Sequence, residues 1–249
     1  MINRLKHKDL KPSLVFALLG FIASAFVGWY QFLIFSEDMK HQIITQLGSM
    51  EALIGIAAIQ GALLTFVAAF IGLKIARSVN LQLNFKWDRQ ALIIAIGIGF
   101  SVALLITGAD RFIFAQYLPA SITTYTFSPI YLISGLLYGG IVEEVLLRLL
   151  VMSLLVWILW KVFARSKDSK HIPASIYITA IILAAALFAA GHIPITLQTI
   201  GNTLPILIRC FVLNGVGGIG FGYLYWKKGL TYAMVAHAMT HVFMQIVLI

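Results

Sequence analysis

Seven stretches of this chain are apolar for long enough to cross a lipid bilayer, which leaves few other folds open. A crossing helix needs about 20 residues, and the stretches cover residues 13–35, 50–76, 91–108, 129–160, 174–192, 203–226 and 230–249. Hydrophobic residues make up 61% of the chain and charged residues 11%, against about 45–50% and about 25% in a soluble domain. Too little polar surface is present to cover such a chain in water. Alternating segments of about 10 residues, the mark of a membrane β-barrel, do not occur. The predicted fold is therefore all-α: a polytopic transmembrane helical bundle, forming a single membrane domain over residues 1–249. The fourth stretch is long for one crossing, and a break at Gly135, Gly139 and Gly140 would make eight segments out of seven. The lone Cys210 cannot form an intrachain disulfide.

The net charge of +9 would suit a nucleic-acid partner, but its distribution argues against one. Fourteen of the 18 Lys and Arg residues fall on one side of the predicted crossings. They are Arg4, Lys6, Lys8 and Lys11 before the first; Lys74, Arg77, Lys86 and Arg89 between the second and third; Lys161, Arg165, Lys167 and Lys170 between the fourth and fifth; and Lys227 and Lys228 between the sixth and seventh. Only Lys40 and Arg111 fall on the other side, with Arg148 and Arg209 inside spans. Basic loops stay in the cytoplasm, which predicts a multi-pass protein of the cell membrane with a cytoplasmic N-terminus. The lipid bilayer is the expected partner and nucleic acid is not. Ala23-Ser24-Ala25 has the form of a signal-peptide cleavage site, but the apolar run continues to Phe35, so a retained anchor is expected.

Ionisable groups within a bilayer cost a few kcal/mol each and mark function by default. Here they are Glu143, Glu144, Arg148, His192, Arg209, His237 and His241. Glu144 and Arg148 are four apart and share a helix face, while Glu143 points about 100° away. One carboxylate is thereby neutralised and the other left for chemistry, as a general base requires; a structural pair with an inert second glutamate is the alternative. His192 closes the fifth span, one turn after Phe188, and His237 and His241 share a face of the seventh. Arg209, alone in the sixth span, either pairs with a glutamate or lines the cavity. Gly218 and Gly222, like Gly135 and Gly139, are spaced for close helix packing. At 1.5 Å per residue, His192 comes out too shallow to meet Glu143. Either the fifth helix continues into residues 193–200 or the site opens toward the outer half.

Taken in order, Glu143-Glu144-x-x-x-Arg148, Phe188-x-x-x-His192 and His237-x-x-x-His241 resemble the motifs of the CAAX-processing and bacteriocin-processing (Abi, or CPBP) intramembrane endopeptidases. The resemblance covers residues 129–249, including the glycine-rich sixth span, and the first three spans carry none of it. It implies an intramembrane endopeptidase hydrolysing a peptide bond of a membrane-associated peptide or protein. Where the family usually has Asn four residues after the third-motif histidine, this chain has His241.

Two chemistries fit these residues. In the glutamate reading, favoured by the resemblance and needing no cofactor, Glu143 activates water, His192 assists, His237 and His241 stabilise the oxyanion, and Glu144 with Arg148 positions the catalytic helix. In the metalloprotease reading, His192, His237 and His241 hold zinc and Glu143 is the base. A non-catalytic scaffold, immunity protein or regulator of the same fold is the competing class. A proton-coupled transporter would show broken helices in both halves, and the first three spans contain no deep charge to suggest it.

Overall fold

The computed structural model describes residues 2–119, 126–164 and 168–247. Among these, helices alone form the regular structure. They are α1 (Ile2–Ile34), α2 (Glu37–Leu47), α3 (Met50–Ser78), α4 (Arg89–Phe112), α5 (Pro129–Phe163), α6 (Ala174–Gly191), α7 (Ile193–Thr199), α8 (Leu204–Lys228) and α9 (Leu230–Val242, wound on to Val247). Seven spans are long and apolar enough to cross a membrane, with α6 and α7 together forming one of them. Their outward faces carry large apolar side chains such as Leu18, Leu63, Leu64, Ile93, Leu105 and Ile182. That surface suits hydrocarbon and not water.

Local chemistry sets where the helices start. Ser36, Ser49, Asp88 and Ser128 each accept a backbone N–H at the head of α2, α3, α4 and α5, satisfying donors that a helix leaves open. Pro129 follows Ser128 at the first turn of α5, where its missing N–H costs nothing. The break considered at Gly139–Gly140 does not occur. Instead Gly135–Met152 is wound as a π-helix between α-helical ends, and α5 crosses once. Wide π-turns are uncommon and cluster at functional sites; this one carries both glutamates.

The central helix α5 is flanked by the paired α1 and α3 on one side and by α9 on the other, with α4 against α9 and α8 against α6. Ends that the basic residues mark as one face do meet in space. Arg77 of α3 forms a two-pronged pair with Asp9 of α1, both bonds 2.6 Å long. The segment between α3 and α4 is pinned to the α8–α9 junction. There Leu230 N–H donates to the Gln82 carbonyl, Thr231 N–H to that of Leu83, and Tyr232 Oη to that of Lys86. At the opposite face Ser128 N–H donates to Gln245 Oε1.

That pinning fixes the direction in which α9 leaves the junction, and hence where His237 arrives two turns later. Gly229 makes the turn with φ of +102°, a conformation that side chains resist, and an added Cβ would press on Asn84. Gly229→Ala is expected to cost about 1–3 kcal/mol and to lower the melting temperature in detergent by about 2–12 °C. An unchanged melting curve would show that the junction does not constrain α9.

Candidate active site

Glu143 and Glu144 project from the π-wound part of α5 toward different neighbours. Glu144 is sealed in the interior. Its Oε1 lies 3.0 Å from Arg148 Nη1, one helical turn on, and 2.8 Å from His237 Nδ1 of α9. Arg148 Nη1 stands off the line of a hydrogen bond, so that contact is an ion pair. Its Nη2 donates to the Gly218 carbonyl at 3.3 Å, and its guanidinium lies over the rings of Phe188 and Phe221 at 4.6 and 5.4 Å. A buried ion pair is tolerated only when its charges find such partners. Three helices, α5, α8 and α9, are tied together here.

Glu143 faces the histidines. Its Oε1 lies 3.8 Å from His192 Nε2 and its Oε2 lies 3.8 Å from His237 Nε2. The other ring nitrogen of each histidine is already engaged: His192 Nδ1 meets the Phe188 carbonyl at 2.9 Å, and His237 Nδ1 meets Glu144. A carbonyl only accepts, so His192 carries its proton on Nδ1 and turns the Nε2 lone pair toward Glu143. At 3.8 Å neither contact is a direct hydrogen bond. The spacing lets one water molecule lie within about 2.8 Å of a carboxylate oxygen and an imidazole nitrogen together.

Exposure divides the cluster. The side chain of Glu143 is 18% accessible and that of His192 29%, whereas Glu144 and Arg148 are at 0% and 2%. Glu143 and His192 are thus partly accessible, and the Glu144–Arg148 pair lies behind them.

His192 comes within reach because the fifth span does not stop there. It caps α6, and α7 carries the chain on with Pro194 in its first turn. Of the two outcomes expected from its shallow position, the continued helix is the one seen. His237 and His241 share a face as expected, their rings stacked at 5.4 Å and 18°. Phe221 stacks on His237 at 4.5 Å, on the side that α8 presents. Close approach of α9 to α5 depends on glycines. A Cβ at Gly135 would overlap the His241 ring, and one at Gly139 would come within 2.8 Å of His241 Nε2 and 3.1 Å of His237 Nε2.

His241 stands one ring behind His237, its Nδ1 buried without a hydrogen-bond partner. It makes no ion-pair contact with either glutamate. Among the described residues no three His, Cys, Asp or Glu side chains are grouped as ligands to a metal ion.

Arg209 departs from expectation. It pairs with neither glutamate but with Asp110, through Nε and Nη2 at 2.5 and 2.6 Å. The third span runs past Gly108 to Phe112, which brings a buried acid into the first half of the chain, where none was expected. Three other neighbours of the cluster escaped notice. Phe221 lies in a glycine-rich run that reads as packing. Tyr131 sets its ring edge-on to His241 at 5.9 Å and lies within electrostatic reach of Glu143 and of Asp110–Arg209. Asp110 sits so close to a predicted helix end that a loop position was the simpler assumption.

With this geometry in place, residues 125–243 match the family model described as type II CAAX prenyl endopeptidase Rce1-like. Just under half of the chain is therefore similar to that family. The matched segment contains Glu143, Glu144, Arg148, His192, His237 and His241, and so the whole cluster. Searches of the curated proteins and of the solved structures give no match. The family is one of membrane proteases, which agrees with a multi-pass helical chain holding carboxylates and imidazoles at depth.

The two glutamates should respond differently to removal of charge. Glu144→Gln strands the buried Arg148 and is expected to cost about 3–5 kcal/mol. Glu143→Gln, partly accessible and without a short contact, should change stability by less than about 1 kcal/mol. Melting curves of the two variants in detergent check this, and equal losses would contradict the division of roles.

Proposed function

We propose that this protein is an intramembrane endopeptidase in which Glu143 is the general base. The observation that carries the reading is the convergence of both Glu143 oxygens on Nε2 of His192 and of His237, from three separate spans, at 3.8 Å each. The similarity of residues 125–243 to a family of prenyl endopeptidases supports it.

In this account a water molecule between Glu143 and His192 gives a proton to Glu143, and its oxygen adds to the carbonyl carbon of a peptide bond. The tetrahedral intermediate collapses with cleavage of the C–N bond. Glu143 returns the proton to the departing amine, leaving a carboxylic acid and an amine, which ionise to carboxylate and ammonium. His192, held by the Phe188 carbonyl, keeps the water in line. His237, its Nδ1 held by Glu144 and its ring by the Phe221 stack, turns Nε2 to the oxyanion. His241 backs that ring by stacking, and Glu144 with Arg148 fixes α5 against α9 and α8. Positioning and preorganised charge of this kind suit a site walled off from bulk solvent.

The metal-dependent reading draws on one feature, the carboxylate–imidazole contact between Glu144 and His237, since metal-bound histidines are commonly supported that way. A chelator separates the two: activity of the purified protein that survives chelation supports the metal-free mechanism, and loss restored by zinc supports the other. The CAAX-like resemblance makes a peptide with a C-terminal lipidated cysteine motif the first substrate class to try. Glu143→Gln should lower hydrolysis by about 10²–10⁴-fold at unchanged abundance. Hydrolysis or a cellular phenotype indifferent to that substitution would favour a scaffold or regulator instead.

A further inference from the structure

Two hollows lie side by side on the basic face, and they differ in chemistry. The smaller, about 200 Å³, is lined by Asn80, Gln82 and Asn84 of the α3–α4 segment and by residues 225–229 at the end of α8. The larger, about 410 Å³, lies between Ile172, Ala174 and Tyr177 at the head of α6 and Trp226 of α8. Asn80 and Trp226 border both. Amide and ammonium groups dominate the smaller hollow, whereas aliphatic and aromatic carbon lines much of the larger. Trp226, stacked on Tyr177 at 5.0 Å and 13°, forms the wall between them. Such a pair suits an amphiphile, with its polar part in one hollow and its apolar part leaving through the other.

The smaller hollow carries an uncommitted positive charge. Lys228 Nζ is taken by Asp88 at 3.3 Å. Among the described residues no carboxylate meets Lys227, whose Nζ lies 3.4 Å from the centroid of the Trp226 ring. A helix end repels an anion through its free carbonyls, but here they are covered. Gly229 N–H donates to the Leu224 and Tyr225 carbonyls, and Asn84 Nδ2 to that of Lys228 at 2.7 Å. The rim is held in place as well: Asn80 Nδ2 donates to the Ser169 carbonyl ahead of α6, and Tyr177 Oη to the Val79 carbonyl at 2.7 Å. Next along the same segment, Phe85 and Trp87 are 75% and 80% exposed and alternate with exposed Lys86. Aromatic and basic side chains interleaved in this way sit where acyl chains give way to headgroups. The hollow that Asn84 lines therefore lies at headgroup depth.

We infer that the paired hollows hold one anionic phospholipid of the leaflet on the basic face. Its phosphate lies at Lys227 and Gln82, and its glycerol backbone lies against Trp226 and Tyr177. From there Ile178 of α6 and Tyr223 of α8, both about half exposed, offer apolar surface to the acyl chains. Basic loops stay on the cytoplasmic side, and the leaflet there is the one rich in anionic lipid. A soluble phosphate ester has the same anion but nothing to fill the larger hollow. The rim joins the α3–α4 segment to the α8–α9 junction, so the bound lipid braces the turn from which α9 departs toward His237. None of this rests on the protease reading.

Titrating phosphatidylglycerol into the full chain in detergent, with phosphatidylcholine as the comparison, tests it through the melting temperature. Expected is a saturating rise with phosphatidylglycerol, as a ligand of the folded state gives, and none with phosphatidylcholine. Lys227→Gln removes a charged hydrogen bond and should weaken the apparent affinity about tenfold or more. Lys161→Gln lies on the same face, its Nζ over the Trp160 ring and outside both hollows. It should weaken the affinity by no more than about fivefold, the share of one diffuse surface charge. Equal losses in the two variants, equal rises with the two lipids, or no rise at all overturn the inference. Glycerol phosphate at the same concentration should leave the melting curve unchanged. If it matches phosphatidylglycerol, the occupant is a soluble phosphate ester and the lipid assignment falls. Should Lys227→Gln fail to accumulate, Gln82→Leu, at an exposed position, should weaken the affinity in its place, and an unchanged affinity there overturns the inference. Melting needs no catalysis, so a hydrolysis assay that fails sinks the protease reading and leaves this measurement standing.

Discussion

One carboxylate holds the site together. Glu144 Oε1 receives the charge of Arg148 from its own helix and the Nδ1–H of His237 from α9. In a medium that offers no water, a carboxylate this deep must be compensated by its neighbours, and the neighbours must come to it. Pairing Glu144 Oε1 therefore sets the register of α9 against α5. It also fixes the tautomer of His237 and turns Nε2 to Glu143. Arg148 extends the same constraint to α8 through the Gly218 carbonyl and the Phe221 ring.

Backbone approach makes this possible. Gly135, Gly139 and Gly140 leave α5 without side chains where His241, His237 and Ala238 of α9 lie, the close packing that membrane helices gain from small residues. The π-winding of the same stretch keeps Glu144 and Arg148 about one turn apart while both glutamates stay at one depth. The α8–α6 contact works likewise, with Gly218 set against Ala185 and Gly222 against Ile181. Packing by glycine and compensation of charge meet in the same few residues, beneath the partly accessible Glu143 and His192.

The fold was legible because bilayer length and apolarity impose it, and seven spans follow from seven runs. Helix breaks were less so. Gly139–Gly140 read equally as a break or a contact, and only the presence of α9 beside them decides for contact. The Glu144–Arg148 pair was legible from spacing alone, whereas the Glu144–His237 bond joins residues far apart in sequence and had no local sign. His192 looked too shallow because Pro194 suggests an end to the helix, yet proline is tolerated in the first turn of α7. Asp110 was missed through an error of a few residues in one helix end, and with it the partner of Arg209. His241 shows the limit of motif spacing: two histidines four apart do share a face, but which of them meets a carboxylate depends on the helix opposite.

The account depends on Glu143 and His192 meeting across two spans, and paired cysteines measure that directly. A short bifunctional thiol reagent applied to the Glu143→Cys/His192→Cys protein should bridge the two spans, seen as fragments that stay joined after cleavage of the chain between them. The control pair Glu143→Cys/Ile178→Cys, with Ile178 on the lipid-facing side of α6, should not bridge. Reaction of each single cysteine with a monofunctional reagent, but no bridging of the Glu143–His192 pair, would contradict the convergence and the mechanism built on it.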